Sequence, residues 1–521
     1  MSDPIVQSHQ AVREATDRSM LGLVVEQARR FAAREIDPIA FDRAAQLPRR
    51  VLKAAAEAGL FGLAIPESYG GLALSLGDIC QVVSELATRD GSFATSIGLH
   101  NGLGTRGLIA YGSQSLKEKW LPKLASGEAI ASFAATETGA GSDLMAIRTT
   151  LTPRGEQVRL DGEKSYVTNG GFAGLYTVLA RSPEMGGARA HSLVCVPRDT
   201  PGVEVGAEEH KMGLRGSSTV TVSFDGVMLP MENVLGTSGQ GIAYAQHILT
   251  WGRTIMASGC IGAARNALNA VLSYVIERKQ FGRSIGHFGA SRAHVATMAA
   301  KLWAMEAMVE RTGIEDINGG SIDGISGATK VFCSDEAFDI CDRAIQLHGA
   351  LGFLSDLGVE RLLRDARVTR IFEGANDVIL VFAGTALIAL SRSDAGRRCH
   401  ATVEPDLEEV ARAWERVEQE LQESLDRVRK KYGVKAIRHQ LVLQRLARAH
   451  IALQAASASL WRARAVDAVA RSVARLSVQQ LLATAKENLS TLESSEIDES
   501  NHLQVTEALY RLGAMPQPVR A

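Results

Sequence analysis

The sequence lacks an excess of either charge: 57 Lys and Arg stand against 58 Asp and Glu, a net charge of −1 that argues against a general electrostatic grip on nucleic acid. It also lacks paired thiols. Its six cysteines (Cys80, Cys195, Cys260, Cys333, Cys341, Cys399) are scattered, with no C-x-x-C and no His cluster beside them, which reads as reduced, buried, cytosolic thiols and argues against a metal site. No apolar run is long enough to cross a bilayer. The longest, Val378 to Leu390, follows a polar loop as a core helix does. Met1 to Gln10 has neither the cationic nor the apolar stretch of a secretion signal, and no Arg/Ser-rich transit segment follows, so the expected location is the cytoplasm. No internal repeat is present, nor any low-complexity segment longer than Ser391 to Glu404.

What is present is ordinary for a soluble globular protein: 46% apolar and 22% charged residues. A chain of 521 residues is too long for one core and implies three or four packed domains. From Met20 to Leu124 apolar residues recur at helical spacing (Ile79, Val82, Val83, Leu86). Beyond Glu137, period-two segments such as Val220-x-Val222-x-Phe224 are interrupted by Asp161-Gly162 and Asp225-Gly226, which predicts antiparallel hairpins. Helical periodicity returns at Gly241 and, past a polar linker, fills the C-terminal fifth. The expected fold is mainly α with a central β-domain, α+β in class. The expected domains are an N-terminal helical domain (1–131), an antiparallel β-domain (132–240), a four-helix bundle (241–391), a linker (392–404) and an extra helical domain (405–521).

Four motifs carry chemistry. Thr136-Glu137-Thr138-Gly139-Ala140-Gly141-Ser142-Asp143 combines small residues that let a ligand approach the backbone with hydroxyls able to bind its oxygens, though a plain loop fits as well. In Lys164-Ser165-Tyr166-Val167-Thr168-Asn169-Gly170-Gly171, period two places Tyr166 and Thr168 on one strand face, where a flat heterocycle could stack; a core tyrosine is the plainer alternative. Arg278, in Glu277-Arg278-Lys279-Gln280-Phe281-Gly282, could clamp a pyrophosphate or merely complement a helix dipole. Gln346-Leu347-His348-Gly349 adds a close-approach loop in which His348 reads as structural. In Arg370-Ile371-Phe372-Glu373-Gly374-Ala375-Asn376-Asp377, a carboxylate ahead of an apolar helix suits a general base with a raised pKa, and equally a helix-dipole acid.

In this order and spacing the four motifs resemble the acyl-CoA dehydrogenase family from about Leu21 to Leu512. The resemblance implies FAD held between the β-domain and the bundle and completed by a second subunit. It places Phe133, Thr136, Gly141, Ser142, Tyr166, Thr168, Gly349, Ala375, Asn376 and Asp377 at the flavin, with Arg278, Phe281 and Gln346 reaching the partner's FAD. It places Ser142, Arg253, Phe372 and Gly374 at the substrate, and makes Glu373 the catalytic base. The implied reaction is α,β-dehydrogenation of a long-chain fatty acyl-CoA to a trans-2-enoyl-CoA in β-oxidation, with electrons passed to an electron-transferring flavoprotein. The alternatives are an oxidase using O₂ and a flavoprotein kept as an assembly or membrane partner. Gly98, Gly102 and Gly104 could leave room for the acyl chain, or simply pack helices.

The segment from Lys435 to Ala447 resembles the C-terminal extension of the very-long-chain branch, whose members are homodimers. Residues 427–448 hold eight Lys and Arg and no acid. That reads either as a basic amphipathic helix in peripheral contact with an inner membrane or as a solvated face. Four positions depart from the family pattern: Tyr166 stands for the usual Trp, Ala375 for a Thr that contacts FAD, and Gly349-Ala350 for a Gly-Gly pair, while Thr250-Trp251-Gly252-Arg253 keeps only the Arg.

Overall fold

Side-chain caps from Asp37, Ser75, Asp90 and Ser113 set four helix starts in the N-terminal layer. Seven helices form it in a computed structural model that describes residues 4–389, 403–464, 466–494 and 499–512: α1 (Pro4–Glu35), α2 (Pro38–Ala44), α3 (Arg49–Glu57), α4 (Leu76–Arg89), α5 (Gly91–Leu99), α6 (Thr105–Tyr111) and α7 (Gln114–Ala125). Ser75 and Asp78 close a reciprocal capping box on α4, and the Asp90 carboxylate accepts the Phe93 amide at 2.8 Å to open α5. The apolar stripe Leu76, Ile79, Val82, Val83 and Leu86 is buried. One π turn, His100–Gly104, interrupts the run from α5 into α6.

The β-domain contains β1 (Ala131–Ala134), β2 (Thr150–Arg154), β3 (Gln157–Thr168), β4 (Leu175–Arg181), β5 (His191–Pro197), β6 (Val203–Glu208), β7 (Thr219–Pro230) and β8 (Val234–Leu235). They form one sheet in the order β6-β7-β3-β2-β4-β5-β8, with β1 beside β4. The sheet is mixed, not antiparallel as expected, because β1 and β2 both pair in parallel with β4. Local turn signals see only hairpins, and these pairings cross 40 residues of chain or more between β1 and β4. Nor do the two Asp-Gly pairs turn the chain. Gly162 and Gly226 have φ of +139° and +60° inside the long strands β3 and β7, and the Gly226 amide donates to the Asp161 carboxylate at 2.9 Å across a register shift. The same conformational freedom that serves a turn serves a bulge.

Three long helices, α8 (Gly241–Glu277), α9 (Gly289–Ile317) and α10 (Asp323–His348), follow, with a two-stranded ribbon of β9 (Lys279–Gln280) and β10 (Arg283–Ser284) between the first two. A single turn, α11 (Ala350–Phe353), leads to α12 (Val359–Thr369). Arg361 on α12 lies buried between the Asp90 and Asp365 carboxylates, at 3.2 and 3.0 Å, and Asp365 also accepts the Leu214 amide. That cluster joins the N-terminal layer, the β-domain and α12. The chain is thus mainly α with a central sheet, and no described helix is long and apolar enough to cross a membrane. The five described cysteines, Cys80, Cys195, Cys260, Cys333 and Cys341, are free and buried.

The described chain divides into two compact units, Met1–Asn376 and Asp377–Ala521. The division falls after the first residue of α13 (Asn376–Ala389) instead of in the polar segment beyond it, and residues 390–402, which include nearly all of the expected linker, lie outside the described residues. The reason is local to the second unit. Arg429 donates to the Leu387 and Ile388 carbonyls, and Gly384 meets the Leu443 backbone where a Cβ would stand 2.3 Å from its carbonyl oxygen. This unit also holds α14 (Glu408–Tyr432), α15 (Gln440–Arg462), α16 (Ala468–Ser494) and α17 (Glu499–Leu512). Residues 427–448 do not form one amphipathic helix. Gly433, at φ +53°, ends α14, a short 3₁₀ turn (Gly433–Arg438) follows, and Arg429 is engaged by backbone carbonyls.

Candidate active site

Glu373 sits in the loop that unwinds α12. Ile371 and Phe372 both donate to the Val368 carbonyl, Asn376 donates back to the Arg370 carbonyl at 3.1 Å, and the Glu373 N–H takes no part in the loop's backbone hydrogen bonds among the described residues. Glu373 has φ +55°, a left-handed backbone that a glutamate adopts only under constraint. Two cations supply the constraint. Arg253 Nε donates to the Glu373 carbonyl at 3.0 Å, and Lys330 Nζ to the Gly374 carbonyl at 2.7 Å.

The residue is partly exposed as a whole, yet its carboxylate tip is enclosed: Oε2 is buried with no hydrogen-bond partner. It rests against Gly252 on α8, where a Cβ would lie 2.9 Å from Oε2 and 2.3 Å from Cδ2 of Leu103 in the π turn. Burial raises its pKa to about 7, against the opposing pull of Arg253 and Lys330. A carboxylate poised near neutrality, with Oε2 lacking a hydrogen-bond partner, is fit to accept a proton.

The first two motifs are brought together. The Ser165 amide donates to the Thr136 carbonyl at 2.9 Å, and Ser132 Oγ to the Thr168 carbonyl at 2.6 Å. Fully buried Lys164 bridges the Ala135 carbonyl and the Glu137 carboxylate, both at 2.9 Å. Burial alone would raise the Glu137 pKa, but hydrogen bonds from Lys164, Thr149 and Arg148 bring it down to about 2. Glu137 in turn accepts the Arg148 and Thr149 amides, fixing the base of a loop whose tip, Gly141 and Ser142, is exposed.

Tyr166 is 59% exposed with φ +57° at a bulge between Lys164 and Val167. The simple period-two placement beside half-buried Thr168 therefore gives way to a ring freed by a kink. Phe133 is buried in β1. An exposed aromatic on strained backbone beside a hydroxyl-rich loop fits a flat polar heterocycle, so these residues suit the isoalloxazine of a flavin.

The remaining predicted residues lie elsewhere. Arg278 caps α8 and is exposed, about 37 Å along that helix from Arg253. Phe281 is 92% exposed at φ +53°, and Gln346 and Gly349 are exposed at the end of α10. The two helix ends meet where Tyr274 stacks on His348 at 4.4 Å; His348 is buried and its Nδ1 bonds the Ala344 carbonyl, as a structural residue would. Ala375 is half-buried and Asn376 buried in the base's loop, while Asp377 is exposed at the start of the second unit. The glycines proposed to make room do not: Ile255 atoms stand 2.9 Å from the Cβ positions of Gly98 and Gly102, and Ala131 fills the space at Gly104. Sequence reading gave no role to Lys164, on β3, or to Lys330, on α10, both fully buried; for Lys330 a lysine inside an otherwise apolar helical stretch was the available signal.

The first unit thus combines a helical layer, a mixed sheet and a layer of long helices, with a carboxylate of raised pKa held on a strained loop. Profiles of the N-terminal, middle and C-terminal domains of acyl-CoA dehydrogenase match residues 22–128, 132–227 and 239–387. A probable acyl-CoA dehydrogenase of Mycobacterium bovis is 38% identical over 69% of the chain and 93% of its own length. The chain belongs to the acyl-CoA dehydrogenase family. The very long-chain specific acyl-CoA dehydrogenase of Macaca fascicularis is 37% identical over 69% of the chain, an alignment spanning only 56% of that relative. The crystal structure of an acyl-CoA dehydrogenase complexed with FAD from Bacillus anthracis superposes with a TM-score of 0.82 over 96% of this chain and 92% of that one, at 26% identity. The C-terminal helices therefore have a counterpart in fold where the sequence alignments stop.

Proposed function

We propose that the protein is an FAD-dependent acyl-CoA dehydrogenase in which Glu373 removes the α-proton of a fatty acyl-CoA. The observation that carries this is the enclosed, unpartnered Glu373 carboxylate with its pKa near 7. A thioester α-proton is too weakly acidic for an unaided carboxylate, so the developing negative charge on the carbonyl oxygen needs donors, and the uncommitted Glu373 N–H is one. Phe133, Thr136, Gly141, Ser142, Tyr166 and Thr168 would hold FAD from the β-domain, with Ala375 and Asn376 beside it. FAD, when bound, supplies the acceptor for the hydride leaving the β-carbon, and the product is the trans-2-enoyl-CoA. Arg253 and Lys330 keep the base's loop in place while the proton moves to the Glu373 carboxylate.

Likeness to very long-chain relatives supports a long-chain substrate in β-oxidation, with electrons passed to an electron-transferring flavoprotein. A homodimer accounts for Arg278, Phe281 and Gln346, which are exposed, Arg278 lying about 37 Å along α8 from the Arg253 that holds the Glu373 carbonyl.

Anaerobic mixing with acyl-CoAs of graded length, watching the flavin bleach, tests the reading. Bleaching by long chains and its abolition in Glu373→Gln with FAD retained are expected; no bleaching at any length sinks it. Steady turnover with oxygen alone would shift the assignment to an oxidase.

A further inference from the structure

Lys330 has none of the surroundings a lysine normally requires. It is fully buried in the middle of α10, and its Nζ donates to the Gly374 carbonyl and to Asn376 Oδ1, both at 2.7 Å. The Asn376 amide completes the grip, donating to Ser334 Oγ at 2.9 Å and to Asp335 Oδ1 at 3.0 Å. Asp335 also accepts Arg370 Nε at 2.6 Å. Lys330, Ser334 and Asp335 lie at i, i+4 and i+5 on α10, with Lys330 and Ser334 on one face and Asp335 at its flank. Together they hold the loop at its first residue, Arg370, at its centre, Gly374, and at its last, Asn376, while α8 holds the Glu373 carbonyl through Arg253.

A loop whose base has a left-handed backbone is strained and needs such over-determination. A buried ammonium bonded to two neutral oxygens is a costly way to hold a loop unless its charge is used. The adjacent anion is the Glu373 carboxylate.

We propose that Lys330 is the positioning residue of the base: it locks the 370–376 loop through Gly374 and Asn376 and sets a positive charge behind the Glu373 carboxylate. The inference rests on the reading of Glu373 as the base. The charged groups around that carboxylate are Arg253 from α8 and Lys330 from α10, with Asp335 beside Lys330. Burial brings the Lys330 pKa down to about 8, with Glu373 opposing, so it carries its charge at neutral pH. Its removal therefore makes the Glu373 proton harder to lose.

The test uses the full-length, FAD-loaded protein with Lys330→Met, close in length and apolar, and Lys330→Gln, which keeps a donor without the charge. Infrared difference spectra against Glu373→Gln give the pH midpoint at which the Glu373 carboxyl loses its proton, a readout that needs no turnover. In both variants the midpoint rises by about one pH unit, as expected for loss of a neighbouring cation. The acid limb of the flavin-reduction rate rises with it, and the rate at pH 7 falls by about fivefold or more with KM little changed, the smaller loss being in the Gln variant. An unmoved midpoint, a loss confined to KM, or failure of both variants to fold overturns the proposal and leaves Lys330 a plain structural residue. Should none of the acyl-CoAs bleach the wild type while the midpoint still moves in the variants, the dehydrogenase reading fails and the base's role with it, and only the coupling of Lys330 to the Glu373 carboxyl stands.

Discussion

The Glu373 carboxylate rests on Gly252: a single carbon added there would stand 2.9 Å from Oε2 and closer still to Leu103. The carboxylate is therefore positioned by the absence of a side chain on α8, and by the π turn that presents Leu103.

Gly252→Ala is expected to push the carboxylate off its line while leaving FAD bound. A displacement on the order of 1 Å costs about 100-fold in rate, and the overpacking costs about 1–3 kcal/mol of stability. Single-turnover flavin reduction beside thermal unfolding checks both. Wild-type reduction rates in Gly252→Ala would show that the carboxylate is not held by this contact.

The raised pKa of Glu373 makes stability depend on pH. Its folded-state pKa of about 7 lies above the ordinary 4.5, so the native state binds the proton more tightly than the unfolded chain does. That stabilisation is full below about pH 4.5 and is lost as pH rises to about 7, an amount on the order of 3 kcal/mol. Glu373→Gln removes the dependence, so its Tm relative to wild type should climb between pH 5 and 8 while activity vanishes. A Tm difference that stays flat over that window would contradict an enclosed carboxylate.

Arg361→Met leaves the Asp90 and Asp365 carboxylates buried without their shared cation. Burial already raises Asp365 to about 7 and Asp90 above its usual range, and losing Arg361 drives both higher. The cost is about 3–5 kcal/mol at pH 8, where the carboxyls must ionise to match the unfolded state, and less at pH 5, where they can stay protonated. Denaturant unfolding at the two pH values measures it; an equal loss at both would mean the pair is not buried as described.

How much of this was legible beforehand differs by residue. Glu373 stood out because a carboxylate between an aromatic residue and a glycine, ahead of an apolar helix, is a local pattern, and the structure adds the Gly252 contact that makes it lone and enclosed. Gly162 and Gly226 announced positive φ without saying whether it would serve a turn or a bulge; that choice depends on strands pairing across 60 residues of chain. Tyr166 was legible as an aromatic near a hydroxyl, but its kink was not, since register shifts leave no composition signal. Ile255 is one of many apolar residues on α8, and nothing in sequence tells which of them fills the space beside Gly98 and Gly102.

The remote position of Arg278 gives the last prediction. If Tyr166 and Arg278 hold one FAD, they do so from different subunits, since within a chain about 37 Å of α8 separates Arg278 from the Arg253 that grips the base. Tyr166→Ala removes a stacking surface worth about 1 kcal/mol, and Arg278→Ala a charge-assisted bond to phosphate worth about 1.5–3 kcal/mol, so the two homodimers bind FAD more weakly, by about fivefold and about 10- to 150-fold. A dimer assembled from one subunit of each variant separates the two geometries. Acting across subunits, the substitutions fall together in one site and leave the other intact, so close to half of the wild-type flavin is retained with wild-type affinity. Acting within a subunit, they spoil both sites singly and no site of wild-type affinity remains. Flavin absorbance per dimer after gel filtration of the tagged heterodimer reads the difference, and loss of all tight flavin there rules out the shared site.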